Sequence, residues 1–409
     1  MGPPAITAEI PSDYRWLTSA AAQPWLLLAA NAADDVLLLT RRLREHLSLQ
    51  QTHLVLEQVD LRRRAKAKFT TPEGLFFTRV GLEQATDEVV ARYKAERFPR
   101  DRPVFDLCCG IGGDAMALAT RGATIGVDRD PIAALFARLN LQQTRLANSA
   151  RAAAEVRVAA VEELELSEAA AWHLDPDRRA TGSRVTRVER YEPGPEVVER
   201  LLRACPAGAI KLAPAAELSR EWSTAAESEW ISRDGECKQL VAWFGSLARE
   251  PGRRCATILR NHSPTVRTVV GREEIDFVSA RQVDRFVYEV DAAVLAARLT
   301  GQLAAEHGLL AIDPHGGYLT GPDVVQDAAL TPFEVLETLA FDRKRLKGAL
   351  AARGIGRLEI KKRGHFPDPA VLRRELATAG PESATLLLAQ LETSSAAILA
   401  RRIVVPQST

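Results

Sequence analysis

The chain has 409 residues, with 54 Lys and Arg against 53 Asp and Glu, and a formal net charge of +1. With 46% hydrophobic and 26% charged residues, it has the composition of a soluble globular protein with a sizeable core and room for two or three domains. The near-zero net charge excludes a molecule that is basic overall and binds nucleic acid through bulk charge.

The five cysteines (Cys108, Cys109, Cys205, Cys237 and Cys255) form no CxxC pair. An odd count without spacing points to reduced thiols in a cytosol, not a disulfide framework or a zinc site. The first residues, MGPPAITAEIPSDY, lack a basic start followed by an apolar core, so no signal peptide is expected. The apolar stretch from Trp25 to Ala33 is too short to span a bilayer and runs into Asp34 and Asp35. These features predict a soluble, cytoplasmic protein.

Residues 11–68 carry a helical spacing of apolar residues, including Trp25 to Leu28, Val36 to Leu39, Leu43, Leu47, Val55 and Leu56. The basic run from Leu61 to Lys68 reads as a solvated helix face or as a phosphate contact. Phe76 and Phe77 then stand in a segment bounded by Gly and Pro. They are placed either to roof a ligand or to plug the core.

From Arg102 the pattern becomes strand, helix, strand. A short apolar run (Val104, Phe105, Leu107) carries the acid Asp106 and leads into Gly110, Gly112 and Gly113, and a helical pattern opens at Asp114. Glycines belong where the backbone turns sharply and a ligand comes close, and free amides at a helix start offer donors. A second strand, Ala123 to Val127, ends on Asp128, roughly twenty residues on, where a carboxylate can accept from both hydroxyls of a ribose. Asp130-Pro131 opens the next helix. Further strands are expected at Val156 to Val161, Ala169 to Leu174 and Ala209 to Leu212, with a helix from Val197 to Leu202. Strands separated by helices predict a parallel sheet covered on both faces. Asp234-Gly235, between two strand-like runs, predicts a closing antiparallel hairpin.

The loop Gly110 to Ala115 satisfies G-x-G-x-x-A, so a dinucleotide site, a methyl-donor site and a purely structural turn all compete for it. The acid before the glycines and the terminal hairpin favour the methyl donor. Asp175-Pro176, at the end of the fourth strand, reads as a strand-ending turn or as a carboxylate that orients or deprotonates a nucleophile. His173 reads as a packed residue or a base. Cys108 and Cys109 read as small residues of a tight loop. The seven histidines are scattered, and no metal cluster is expected.

Residues 261–330 look α+β, with short strands and a helix from Ala292 to His307. Between Phe341 and Gly364 nine residues are Lys or Arg and only Asp342 and Glu359 are acidic. That local excess reads as an RNA or phosphate contact, through Lys361, Lys362 and Arg363, or as a solvated face. A helix from Val371 to Ala379 and a strand pair (384–391 and 396–405) close the chain.

These motifs carry a resemblance. The chain resembles bacterial class I S-adenosylmethionine-dependent methyltransferases that end in a THUMP-like domain. The matching stretches are 76–86, 106–114, 126–131, 175–179, 210–214 and 354–364. The glycine loop is also similar to that of trimethylguanosine synthases. The resemblance implies an α/β fold. A Rossmann-like class I sheet with an antiparallel terminal hairpin fills residues 71–260. It is joined to an N-terminal helical region (1–70), a ferredoxin-like α+β module (261–330) and a THUMP-like domain (331–409).

It further implies that Asp106, Gly110, Gly112 and Asp114 surround the methionine part of S-adenosylmethionine. Asp128, with Arg129, takes the ribose, and Glu162 lies nearest the adenine, where Ala160 replaces the family's acid. Asp175 and Pro176 become the catalytic pair. Asp177 and Arg178 follow Pro176 where an aromatic is common, so a stacked base would draw on Phe76, Phe77 or Tyr191. The function implied is N-methylation of an RNA base, with the basic C-terminal domain binding RNA and no membrane or metal partner. The alternatives are a small-molecule or protein acceptor, or a non-catalytic RNA-binding protein.

Overall fold

The computed structural model describes residues 9–32, 35–147, 153–177, 188–260, 265–272, 275–391 and 395–403. Arg178 and Arg179 of the fourth-strand motif, and Asp34, lie outside them. The chain forms two compact units. The first is Met1–Ala226 with Val241–Pro251, and the second is Glu227–Leu240 with Gly252–Thr409.

The first unit opens with four helices: α1 (Ser12–Leu17), α2 (Gln23–Ala30), α3 (Val36–Arg44) and α4 (Leu49–Ala65). Ser48 starts α4 with a capping box. Its hydroxyl accepts from the Gln51 amide, and the Gln51 side chain accepts from the Ser48 amide. Two shorter helices follow, α5 (Arg79–Gln84) and α6 (Glu88–Ala95), the latter capped by Asp87.

The sheet then begins: β1 (Val104–Leu107), α7 (Gly113–Ala119), β2 (Thr124–Asp128), α8 (Pro131–Ala147), β3 (Ala154–Val158), β4 (Ala171–Leu174), α9 (Pro195–Ala204), β5 (Gly208–Leu212) and α10 (Arg220–Ala225). The strand order is β3-β2-β1-β4-β5, and the neighbouring strands run parallel. The chain moves outward from β1 to β3 and then returns to the other side of β1. The carboxyl ends of β1 and β4 thus flank the switch point, where ligands bind in sheets of this kind. One core joins the opening helices to the sheet layer. Leu17, Leu26, Leu43 and Val55 share a buried cluster with Phe69, Phe77, Ile111, Phe136 and Leu141.

Two sequence expectations shift here. The third strand ends at Val158, and a 3₁₀ turn occupies Val161–Glu163. The fourth strand begins at Ala171.

The second unit starts with β6 (Glu227–Arg233). The turn to β7 (Glu236–Trp243) holds Asp234 at φ 51° and Gly235 at φ 85°. Two positive φ angles in a two-residue loop match the hairpin twist that Asp-Gly favours. The last residues of β7 (241–243) belong to the first unit. β8 (Arg254–Leu259) lies parallel to β6, and β9 (Arg267–Gly271) lies antiparallel to β8.

After β10 (Phe286–Val290), the single helix expected at 292–307 is two, α11 (Ala292–Ala296) and α12 (Thr300–His307). Arg298, at φ 53°, breaks the helical path between them. The remaining elements are β11 (Leu310–Ala311), β12 (Tyr318–Gly321), β13 (Leu330–Ala340), α13 (Arg343–Ala352), β14 (Ile355–Arg363), α14 (Pro369–Glu375), β15 (Glu382–Gln390) and β16 (Ser395–Arg402). A seven-stranded sheet takes the order β11-β12-β10-β13-β16-β15-β14, so residues on both sides of position 330 share it. β14 and β15 run parallel, with α14 as their crossover. Leu346, Leu350 and Leu372 of α13 and α14 pack into one buried cluster with Leu386, Leu388 and Leu399. No helix among the described residues is long and apolar enough to cross a membrane.

Candidate functional site

A cavity of about 310 Å³ opens at the carboxyl ends of β1, β2 and β4. The loop after β1 forms its floor. Cys108 (φ 56°), Gly110 (φ 54°) and Gly112 (φ 88°) all take left-handed backbone. That conformation is open to glycine and costs an ordinary residue about 1 kcal/mol or more. A Cβ built on Gly110 meets nothing within 4 Å, whereas one on Gly112 comes to 3.0 Å of Leu141. Gly110 therefore faces open space, and Gly112 is the close-packing glycine against α8. Gly112 is not part of the cavity wall.

Asp128 is fixed by this loop. One carboxylate oxygen accepts from the Gly110 amide at 2.7 Å and the other from the Asp130 amide at 2.9 Å. Arg129 borders the cavity but is ion-paired with Glu192. Glu162 is in the wall and Ala160 is not.

Beneath the loop runs a buried polar chain that the sequence does not announce. Asp106 and His173 are register partners on β1 and β4, so their side chains share a face. His173 Nδ1 lies 2.7 Å from Asp106 Oδ1, and both residues are 1% exposed. His173 Nε2 lies 3.1 Å from Lys94 Nζ, and Lys94 pairs with Asp114 at 2.7 Å. The Thr86 hydroxyl donates to the other Asp114 oxygen at 2.5 Å. A lysine ammonium can only donate, so Nε2 is the acceptor and Nδ1–H donates to Asp106. The network assigns this tautomer.

Burial alone would raise the Asp114 carboxyl, yet the basic groups around it, Lys94 first, hold it well below the usual range. Burial lowers the Lys94 ammonium against the pull of Asp114. Burial also raises Asp106, opposed by the bond from His173. Asp106 Oδ2 is buried with no hydrogen-bond partner. With neutral His173, the chain holds two carboxylates and one ammonium. One negative charge at the cavity floor is left for a cationic ligand.

Asp175 follows β4 and, with Pro176, lines the cavity. Its Oδ2 pairs with the buried Lys211 of β5 at 2.6 Å, and Lys211 also donates to the Gln84 carbonyl at 3.1 Å. That carbonyl belongs to a strap, residues 78–87, along one wall of the cavity. Lys68 binds the same strap, donating to the carbonyls of Leu82, Glu83 and Ala85 at 2.8–2.9 Å. This assigns Lys68 of the basic run to a structural task.

Phe76 and Phe77 are core residues. Their rings pack at a tilt against Phe136 and Phe69, respectively, and do not line the cavity. Two buried amides hold their backbone. Asn140 binds the N–H and C=O of Phe76, and Gln58 binds those of Phe77. Both therefore serve as the packing plug, which corrects their assignment to the substrate. Tyr191 is likewise buried and outside the wall. Burial pushes the Cys108 and Cys109 thiols well up, so neither is a ready nucleophile.

Lys361, Lys362 and Arg363 lie on β14. Lys361 pairs with Glu289 at 2.7 Å, Arg363 lies 3.7 Å from the same carboxylate, and Lys362 donates to the Phe366 carbonyl. These three cations are largely spent within their own unit. On α13, by contrast, Lys344, Arg345 and Lys347 are exposed and have no ion pair among the described residues. Glu306, His307 and Asp327 come together, but Arg267 already takes both carboxylates, at 2.7 and 2.9 Å.

Comparison with known proteins agrees with this arrangement. Residues 330–402 match the THUMP domain-like family. A solved putative methyltransferase from Porphyromonas gingivalis W83 superposes with a TM-score of 0.76, at 21% identity, over 93% of this chain and 97% of that one. It shares the fold. Two uncharacterized S-adenosylmethionine-dependent methyltransferases of Mycobacterium tuberculosis, from strains CDC 1551 and H37Rv, are each 32% identical over 323 residues. These cover 78% of this chain and 86% of theirs. The cavity at the switch point, the unpartnered Oδ2 of Asp106 and this extended identity lead to one conclusion: the chain belongs to the S-adenosylmethionine-dependent methyltransferases.

Proposed function

We propose that this enzyme methylates a nitrogen of an RNA base. The observation that carries the reading is the charge of the cavity. Nine carboxylates line it (Glu83, Asp106, Asp114, Asp128, Asp130, Glu162, Asp175, Asp177 and Glu192), and they outnumber the cations even with Lys94, Lys211 and Arg129 paired to Asp114, Asp175 and Glu192. Such a wall repels phosphate and carboxylate acceptors. It admits a cationic cofactor and an uncharged heterocycle whose phosphates stay outside. The THUMP domain-like residues and the exposed cations of α13 support RNA as the carrier of that heterocycle.

When bound, S-adenosylmethionine supplies an electrophilic methyl on a sulfonium. In this reading Asp106 Oδ2 pairs with the cofactor's ammonium, Gly110 lets its methionine part approach, Asp128 takes the ribose and Glu162 the adenine. Asp114 acts from below by fixing Lys94. Asp175 and Pro176 border the transfer position. Bound there, the cofactor would supply its methyl to the acceptor nitrogen, the sulfur leaving as a neutral thioether, and the nitrogen's proton would pass to Asp175 or to water. In-line placement supplies most of the rate.

Two outcomes follow. Asp106→Asn weakens cofactor binding about ten- to hundredfold, the worth of a charged hydrogen bond, read by titration calorimetry. Burial raises Asp106, and only its anion pairs with the ammonium. Wild-type affinity therefore falls as pH drops through that raised range, while the variant stays flat. An unchanged affinity in Asp106→Asn removes Asp106 from the cofactor site. For the acceptor, mass spectrometry of nucleosides in total RNA compares cells with and without the protein. A methylated base must disappear in its absence, and replacing Lys344, Arg345 and Lys347 by Glu must weaken RNA binding and flatten its salt dependence. Identical nucleoside profiles reject the RNA reading.

A further inference from the structure

Lys211 is buried, 5% exposed, at the fourth position of β5, a strand whose five residues are all buried. A lysine there is costly unless its charge is matched. It is matched by Asp175 Oδ2 at 2.6 Å and by the Gln84 carbonyl at 3.1 Å. The other oxygen, Asp175 Oδ1, has no partner among the described residues, and Asp175 borders the cavity.

We infer that Lys211 is a positioning residue that turns Asp175 into an aimed, charge-balanced hydrogen-bond acceptor, and thereby selects a neutral N–H acceptor over an alkyl ammonium. This rests on the reading that Asp175 faces the transfer position. A lone carboxylate at that point attracts protonated amines, which have no lone pair to methylate. The Lys211–Asp175 pair is neutral overall. It holds one oxygen in place through a fixed donor and leaves the second to accept from an uncharged N–H. The exocyclic amine of a nucleobase is such a group, and the ammonium of a lysine side chain or an aliphatic polyamine is not. The link to Gln84 also ties the aim of the carboxylate to the strap along the cavity wall.

The test uses two cofactor analogues and calorimetry. S-adenosylhomocysteine carries no charge at the transfer position, and sinefungin carries an ammonium there. The ratio of their Kd values reports the charge that the protein presents at that point. Asp175→Asn is expected to cut the preference for sinefungin at least fivefold while leaving S-adenosylhomocysteine binding intact. No change in the ratio places Asp175 away from the transfer position and overturns the underlying reading.

With that result in hand, Lys211→Met is expected to raise the sinefungin preference roughly tenfold, because the carboxylate loses the cation that offsets it. Lys211→Arg restores the wild-type ratio. A ratio that is unchanged or lowered in Lys211→Met, as a merely structural lysine would give, overturns the inference. If Lys211→Met no longer binds S-adenosylhomocysteine, Lys211→Gln takes its place. It can keep both hydrogen bonds without the charge, and the same rise is required of it.

Discussion

Asp175→Asn lowers methyl transfer by about 10²- to 10⁴-fold, the usual range for loss of a positioned acid–base group. The amide keeps the shape of the carboxylate and can still accept from Lys211. It then points an NH₂ toward the cavity, so a donor meets the acceptor's own N–H. The charge that would steady the developing positive nitrogen is also gone. S-adenosylhomocysteine affinity stays within about twofold, because that analogue carries no charge at the transfer position that Asp175 borders in this reading. Initial rates with labelled cofactor on total RNA, beside calorimetry with S-adenosylhomocysteine, separate the two quantities. A variant as fast as the wild type removes Asp175 from the reaction. One that loses cofactor binding and rate together moves it to the cofactor's half of the site.

Lys94→Met acts on the fold instead. Lys94 is 2% exposed and is the partner of both Asp114 and His173. Removing one member of a buried ion pair costs about 3–5 kcal/mol, since the other charge is left behind. For a unit of this size that is a drop of about 10 °C in Tm.

The pH dependence has a definite sign. In the wild type the Asp114 carboxyl is held low, so its contribution to stability is complete above about pH 4 and is lost as pH falls below that. Without Lys94, burial dominates and the carboxyl rises, so the variant loses stability as pH rises. The gap in Tm between the two proteins is therefore widest near pH 7–8 and narrows toward pH 4. Adding Asp114→Leu to Lys94→Met recovers most of the loss. A gap that stays constant with pH would falsify the pairing.

What could be read in advance was local in the chain. The Gly110 to Gly113 turn, Asp128 at a strand tip, Asp175 after β4 and the Asp234-Gly235 hairpin each rest on a few adjacent residues, and the structure has a loop, a strand end or a turn at each. The buried chain of charges was not legible. His173 lies 67 residues from Asp106, and Lys94 lies 79 from His173. The clue was available in α6, where Lys94 falls on the buried face with Val90, Ala91 and Ala95. Lys211 left a similar trace, a cation inside a five-residue apolar strand.

Phe76 and Phe77 misled because aromatic residues serve pockets and cores alike. Only their neighbours, Asn140 and Gln58, decide between the two. Lys361 and Arg363 misled because Glu289, which neutralises them, is more than seventy residues away. The kink at Arg298 has no sequence mark, since arginine carries no preference for the left-handed region.

The cavity wall at 82–85 is held in a particular way. Lys68 and Lys211 grip the carbonyls of Leu82, Glu83, Gln84 and Ala85, which every amino acid possesses. These bonds themselves do not depend on which side chains stand at positions 83 and 84. Glu83 and Gln84 can be exchanged in a library with the lysine–carbonyl bonds of the wall kept. A lineage, or an engineer, can use these two positions to change which acceptor is admitted while the scaffold and the cofactor floor stay as they are.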